Sequence, residues 1–179
     1  MTEIPVNADV ALTEYRPSDR DRVVAIANDR DVAGPLIAMP HPYEPRHFDE
    51  WIDLVTRNTE RHGRPSNFAI RQGDDVIGGF SLKDPVHGHK TEIAFWLGKP
   101  YWGRGIMTAV VTAGCRHAID HWGVVRVTAT TFATNHASAR VLEKNGFTRE
   151  GLMRKYHRKQ GHYLDAVLYA LIREYSPAC

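Results

Sequence analysis

The spacing of hydrophobic residues predicts strands and helices along the whole chain. Alternating or β-branched apolar runs predict strands over residues 10–16, 68–70, 76–82, 92–97, 124–131, 147–153 and 163–171. Helical spacing predicts helices over residues 19–28, 48–55, 106–121 and 136–145. The resulting order, β-α-α-β-β-β-α-β-α-β-β, indicates an α+β fold in which helices flank a mixed sheet.

Turn and cap residues separate these elements. The stretch from Gly34 to Pro45 contains four prolines and is predicted to be a loop. Ser18 is well placed to cap the first helix, and Gly146 suits the left-handed position after the last one. Because the chain shows no internal repeat and no long linker, we expect one domain over residues 1–179.

Composition and charge narrow the class of protein. The 179 residues are 42% hydrophobic and 25% charged, as in ordinary globular proteins. A net charge of +2 gives no electrostatic support for a nucleic-acid partner. No apolar run approaches the roughly 20 residues of a membrane span, and the first residues do not resemble a secretory leader. We therefore expect no membrane partner. Two cysteines are too few for a disulfide framework, so we expect a cytoplasmic protein.

A glycine-rich loop precedes the helix predicted from residue 106. In the sequence KPYWGRGI, Gly103 and Gly105 flank Arg104, and several backbone N–H groups can point at one ligand there. The positive end of the helix dipole adds to this, which favours phosphate binding. The loop is neither a Rossmann fingerprint, because Thr108 takes the place of the third glycine, nor a P-loop. Taken alone, it is equally well explained as a tight turn between a strand and a helix.

A second motif is more specific. Residues 135–147 match N-x-x-S-x-x-V-L-E-K-x-G-F and follow a predicted strand. Together with E-I-A-F-W-L at 92–97 and Y-W-G-R-G-I-M-T at 101–108, the motif resembles the GNAT superfamily of acyl-CoA-dependent N-acyltransferases. Within it the chain is similar to the RimJ/RimL-type, ribosomal-protein N-terminal acetyltransferase-like branch. The resemblance covers nearly the whole chain and implies a mostly antiparallel sheet of about seven strands flanked by about four helices.

The resemblance implies an acetyl-CoA site around the glycine loop. Pro100 stands where the superfamily often has Gln or Arg, three residues before the first glycine, although backbone contacts to the pyrophosphate do not depend on that side chain. The implied cofactor-binding residues are Leu97, Trp102, Gly103, Arg104, Gly105, Ile106, Met107, Thr108, Asn135 and Ser138.

The resemblance also implies two catalytic residues, Glu92 and Ser138. An amine is mostly protonated at neutral pH, so a carboxylate such as Glu92 can take its proton directly or through water. By its match to the branch, Ser138 would donate a hydrogen bond to the departing thiolate. No tyrosine stands at Val141 or Leu142, where the superfamily's general acid is expected, which favours Ser138 or solvent for that role. The structural alternatives are a solvated strand residue for Glu92 and, for Asn135, a helix cap that places Ser138 in the first turn.

The acceptor is expected to be a small amine or an amino acid. The residues implied to bind it are Met39, Tyr43, Trp51, Glu92, Tyr156 and Tyr163. Two alternatives remain: a protein N-terminus as acceptor, and a non-catalytic acyl-CoA-binding module that meets RNA through the basic run at 154–159. The histidine pairs at 87/89 and 117/121 lack further ligands at zinc-site spacing, so we expect no metal. Members of the superfamily often dimerise through their final strands, so the resemblance also implies a homodimer.

Overall fold

A computed structural model describes residues 2–173 and shows one eight-stranded sheet in the order β1-β2-β3-β4-β5-β6-β8-β7. Only β5 and β6 pair in parallel, and every other neighbouring pair is antiparallel. The mixed, mostly antiparallel α+β architecture is therefore confirmed. The strands are β1 (Glu3–Pro5), β2 (Val10–Thr13), β3 (Asn67–Gln72), β4 (Asp75–Val86), β5 (Lys90–Leu97), β6 (Arg126–Phe132), β7 (Thr148–Lys159) and β8 (His162–Ile172).

Five α-helices accompany the sheet. They are α1 (Arg20–Ala27), α2 (Arg30–Ala33), α3 (Pro45–His62), α4 (Ile106–Trp122) and α5 (His136–Lys144). The elements beyond the expected seven strands and four helices are β1 and α2, which are too short to show a periodic pattern. The predicted cap at Ser18 is wrong, because Ser18 lies in a 3₁₀ turn and Asp19 is the N-cap residue of α1.

The main hydrophobic core lies between α4 and the sheet. A Cβ built on Gly114 of α4 would lie 2.3 Å from the ring of Phe80 in β4, so the absence of a side chain allows the helix to pack closely on the strand. Trp122, at the other end of α4, is also buried. These contacts fix the position of the helix and, with it, the position of its N-terminus.

The parallel strands β5 and β6 separate beyond a short paired stretch. Their pairing runs only from Lys90 to Glu92, opposite Arg126 to Thr128, although β5 continues to Leu97 and β6 to Phe132. In the unpaired segments, the N–H and C=O groups on the facing edges of β5 and β6 do not bond to each other, so they need other hydrogen-bond partners. The split therefore opens a gap in the middle of the sheet, beside the N-termini of α4 and α5.

A buried ion pair attaches the start of α1 to the sheet. Arg71 of β3 forms a bidentate contact with Asp19, with Nη2 2.9 Å from Oδ2, and both side chains are about 95% buried. Arg71 Nε also donates to Thr13 Oγ1, and its Nη1 donates to the Asp74 carbonyl. These hydrogen bonds compensate much of the cost of burying the two charges.

Across residues 2–173, no helix has both the length and the apolar character needed to cross a membrane.

Candidate active site

Two cavities meet at the gap between β5 and β6. The large cavity, of about 570 Å³, extends toward the N-terminus of α4. The small cavity, of about 180 Å³, lies between β5, β6 and β7 and contains Glu92. Residues that line both are Pro35, Leu36, Phe95, Asn135 and Ser138. A ligand in one cavity can therefore contact a ligand in the other at this shared boundary.

The glycine loop forms one end of the large cavity. Gly103 and Gly105 have φ values of 73° and 75°, a conformation that glycine adopts without strain. Within residues 2–173, the backbone N–H groups from Gly103 to Thr108 donate to no protein acceptor. Because these donors surround the positive end of the α4 dipole, their arrangement suits an anionic group.

Two basic side chains on α5 line the same cavity. Arg140 and Lys144 are four residues apart and lie on one face of the helix. Their positive charge adds to that of the helix end and suits a polyanionic ligand. The four-residue spacing of Arg140 and Lys144 on a predicted helix could have revealed this pair, but the predicted cofactor-binding residues did not include it.

Most of the residues predicted to bind the cofactor line the large cavity. They are Leu97, Trp102, Gly103, Gly105, Ile106, Met107, Thr108, Asn135 and Ser138. The Trp102 indole donates a hydrogen bond to the Leu97 carbonyl at 2.7 Å, so the loop is tied back to the end of β5. Arg104 does not line the cavity, and its guanidinium lies 5.9 Å from the centre of the Tyr101 ring.

We expect Gly105→Val to weaken acetyl-CoA binding by about tenfold or more, because strain of about 1–3 kcal/mol at a positive φ would move the amides that follow it. Isothermal titration calorimetry with acetyl-CoA measures this. Gly63→Val is the matched control, because Gly63 has φ 67° and ends α3 away from both cavities. Equal loss of binding in both variants would show that backbone strain in general, and not the loop, is responsible.

The first turn of α5 reaches the boundary between the cavities. Asn135 Oδ1 accepts a hydrogen bond from the Ser138 N–H at 3.1 Å, so Asn135 caps the helix as the structural alternative predicted. In the described part of the chain, the Ser138 hydroxyl makes no hydrogen bond. This hydroxyl is therefore available to a ligand at the boundary.

Asn145 holds α5 against α4. Its Nδ2 donates to the carbonyls of Thr108 and Val141, and its Oδ1 accepts from Thr112 Oγ1 at 2.6 Å. These bonds link the first turn of α4, beside the glycine loop, to the helix that carries Ser138. The two halves of the large cavity are thus fixed relative to each other.

Glu92 provides the negative charge of the small cavity. Its Oε1 accepts hydrogen bonds from Lys83 Nζ at 3.0 Å and from Thr130 Oγ1 at 3.1 Å. The side chain is 33% exposed, so its carboxylate is accessible from the cavity. Tyr156 and His157, from β7, also line this cavity.

Only some of the predicted acceptor residues lie together. Glu92 and Tyr156 line the small cavity. Met39, Tyr43 and Trp51 pack in or beside a second hydrophobic cluster around Phe48, where burial raises the pKa of Tyr43 to about 12. Tyr163 is 61% exposed, and its ring lies 5.9 Å from the Arg158 guanidinium. The structure therefore places these four outside the lining of both cavities.

The loop after α2 forms a wall of both cavities, and Lys159 anchors it. Lys159 Nζ donates to the carbonyls of Ala33, Gly34 and Leu36, at 2.7, 2.9 and 2.5 Å. One ammonium group on the last residue of β7 thus satisfies carbonyls at the C-terminal end of α2. Pro35 and Leu36, which line both cavities, lie within the anchored segment.

We expect Lys159→Met to raise the KM for the acceptor about tenfold, because hydrogen bonds from a charged donor contribute about 1.5–3 kcal/mol to holding the wall. The measurement is steady-state kinetics of thiol release. Lys159→Arg should restore part of the effect, and Lys90→Met, on an exposed residue of β5, should change nothing. An unchanged KM in Lys159→Met would contradict a role for this anchor.

Cys115 and the paired histidines His117 and His121 lie on α4, outside the lining of both cavities. Cys115 is buried in α4, and burial raises the pKa of its thiol to about 12, so the nucleophilic thiolate is scarce at neutral pH. The His117 and His121 rings stack with centroids 4.5 Å apart. Residues 2–173 contain no group of three or more His, Cys, Asp or Glu side chains that could hold a metal ion.

Comparison with known proteins identifies the family. Residues 9–148 match the model of the acetyltransferase (GNAT) domain, Acetyltransf_3, which covers more than half of the chain. The chain belongs to this family. It spans about two thirds of the length of the first curated relatives it matches, two uncharacterized N-acetyltransferases of Bacillus.

Other relatives match over nearly the whole chain. YdaF of Bacillus subtilis (strain 168) is 32% identical over 172 residues, 94% of this chain and 93% of YdaF. The L-amino acid N-acetyltransferase AaaT of Escherichia coli (strain K12) is 24% identical over 170 residues, 93% of this chain and 99% of AaaT. A solved structure of RimL, a ribosomal L7/L12 alpha-N-protein acetyltransferase in complex with coenzyme A, superposes with a TM-score of 0.85. It is 21% identical and covers 96% of this chain and 98% of RimL. This last match supports the fold.

Proposed function

We propose that this protein transfers the acetyl group of acetyl-CoA to a primary amine, by direct attack while both substrates are bound. The observation that carries the proposal is the meeting of two cavities at Ser138, one ending in free helix amides and the other containing a carboxylate. This arrangement suits a polyanionic donor on one side and a cationic acceptor on the other. Membership of the GNAT family supports the same reaction.

The chemical groups that line the large cavity suit coenzyme A. Its pyrophosphate would accept hydrogen bonds from the free N–H groups between Gly103 and Thr108. Arg140 and Lys144 supply positive charge for further phosphate oxygens. The unpaired edge of β5 offers backbone groups to the amides of the pantetheine arm. The thioester would then reach Phe95 and Ser138, where the small cavity begins.

The small cavity fits an amine. Glu92 would attract the ammonium group through the side of its carboxylate that Lys83 and Thr130 leave open. The amine must lose a proton before it attacks, because its lone pair is otherwise occupied. Holding amine and thioester together removes much of the entropic part of the barrier.

Ser138 would assist the departure of the thiolate. Its hydroxyl lies at the boundary of the cavities with no protein partner within residues 2–173. A hydrogen bond from this hydroxyl to the sulfur would stabilise the charge that develops as the tetrahedral intermediate collapses. A backbone amide near the end of β5 would polarise the thioester carbonyl.

A small amine or an amino acid is the acceptor that we favour, because the small cavity is about 180 Å³. The resemblance to an L-amino acid N-acetyltransferase over nearly the whole chain supports this choice. A protein N-terminus is the second candidate, supported by the fold shared with RimL and by the exposed position of Tyr156 at the cavity mouth. A homodimer through the final strands stays a prediction.

Thiol release from acetyl-CoA, screened over L-amino acids, simple amines and short N-terminal peptides, tests the function and the acceptor class together. We expect acetyl-CoA binding by calorimetry and release that depends on an amino acid or small amine. Release with peptides alone would favour the second candidate. Binding without release from any acceptor would support a non-catalytic acyl-CoA-binding module, and absence of binding would overturn the proposal.

A further inference from the structure

We propose that His157 is the base that takes the proton from the acceptor amine, while Glu92 holds the amine as a cation. This inference rests on the proposed function and assigns a step within it. His157 stands in the basic run at 154–159. The structure places it on β7 in the lining of the small cavity.

The position of His157 results from an irregularity in β7. The register of β7 against β8 shifts between Met153 and His157, and Lys155 within this segment has φ 52°. The displacement directs the His157 ring toward β6, where it packs edge-on against Phe132 with centroids 5.6 Å apart. An apolar ring on one side and the cavity on the other leave an imidazole that can meet a bound amine.

Glu92 is better suited to binding than to accepting the proton. Its Oε1 already accepts hydrogen bonds from the ammonium of Lys83 and the hydroxyl of Thr130, and the charge of the carboxylate can attract an ammonium group. A neutral imidazole is ordinarily a stronger base than a carboxylate.

Within residues 2–173, the titratable groups that line the small cavity with His157 are Glu92 on β5, Lys83 on β4 and the adjacent Tyr156. Burial lowers the pKa of the imidazole, the Lys83 charge lowers it further, and the Glu92 carboxylate opposes both. The ring is therefore mostly neutral at pH 7, and its protonated form is stabilised across the cavity by Glu92.

The proton and electron balance closes without another reactant. The ammonium group transfers a proton to His157, and the free nitrogen lone pair forms a bond to the thioester carbonyl carbon. The C–S bond then breaks, and the thiolate leaves with its electron pair and takes a proton. That proton is the second one lost by the attacking nitrogen, and the first is released to solvent when His157 returns to its neutral form.

The pH dependence of kcat/KM for the acceptor tests this role, using the amine or amino acid that gives the fastest thiol release. With His157 as base, the wild-type rate should be level from neutral pH up to the pKa of the amine. In His157→Gln only the free amine reacts, so the rate should fall about 100-fold or more at pH 7 and rise tenfold per pH unit. The two profiles should converge near the pKa of the amine.

His162→Gln is the matched control, because His162 is exposed at the start of β8 and outside both cavities. Its profile should follow the wild type. Imidazole added to His157→Ala should restore activity near neutral pH. A His157→Gln profile parallel to that of the wild type, or a lack of effect, would overturn the proposal while wild-type thiol release still supported the acetyltransferase.

An NMR titration of the His157 ring gives a readout without turnover. Glu92→Gln removes the one group that raises the pKa of this imidazole, so its midpoint should move to lower pH. An unchanged His157 midpoint would show that the two side chains do not face each other, and would contradict the proposal.

Discussion

Glu92→Gln is expected to lower kcat/KM for the acceptor about 100-fold, since hydrogen bonds to charged groups contribute about 1.5–3 kcal/mol. The amide keeps the shape of the carboxylate but loses the charge that attracts an ammonium group. Lys83 would then also lose its partner and place an uncompensated positive charge beside the cationic acceptor. Steady-state thiol release measures the loss. Acetyl-CoA affinity should stay within about twofold, because Glu92 does not line the large cavity.

Glu150→Gln controls for the loss of a carboxylate from an ion pair. Glu150 pairs with Arg126, and its side chain is 35% exposed, close to the 33% of Glu92. It lies outside both cavities. We expect it to keep the wild-type kcat/KM. Equal losses in the two variants would mean that Glu92 acts through the stability of the sheet and not through the acceptor.

Arg71→Met is expected to lower the free energy of unfolding by about 3–5 kcal/mol, because it leaves the buried Asp19 carboxylate without its partner. The Thr13 hydroxyl and the Asp74 carbonyl lose hydrogen bonds as well. Urea unfolding followed by circular dichroism gives the change. Asp19→Leu combined with Arg71→Met should recover part of the loss, since the buried charge is then removed.

Arg20→Met is the control for this pair. Arg20 lies 3.7 Å from Asp49, and the two side chains are 47% and 58% exposed. Solvent screens such a pair, so its removal should cost at most about 1 kcal/mol. A loss for Arg71→Met no larger than this would show that the burial of the Asp19–Arg71 contact carries little energy.

Hydrophobic patterning predicted the larger elements because each contributes a run or a periodic set of apolar residues to the core. The helix from residue 106 is confirmed with nearly the expected bounds, and the two strands of the hairpin are confirmed but are longer than predicted, over 67–72 and 75–86. The three-residue β1 and four-residue α2 are held by pairing and packing with distant segments, and a local pattern cannot show that. The strand predicted over residues 10–16 ends at Thr13, and a 3₁₀ turn begins at Pro17.

The candidate site also has a part that local sequence motifs predicted and a part that they could not predict. The glycine loop and the first turn of α5 are local motifs, and the structure brings both to the large cavity. The lining of the small cavity depends on register between strands. Lys83 lies opposite Glu92 across a hairpin with irregular pairing, and His157 follows a shift in β7. Aromatic residues such as Tyr43 were predicted to line the acceptor pocket, but Tyr43 packs in the second hydrophobic cluster.

Mass spectrometry of the acceptor after incubation with isotope-labelled acetyl-CoA tests the transfer itself. A mixture of L-amino acids and small amines, with N-terminal peptides in parallel, should yield a labelled N-acetyl product in amounts equal to the thiol released. Glu92→Gln should form the same product more slowly, and Gly105→Val should need more acetyl-CoA. Thiol release without labelled product on any amine, or neither product nor acetyl-CoA binding, would contradict the proposed transfer.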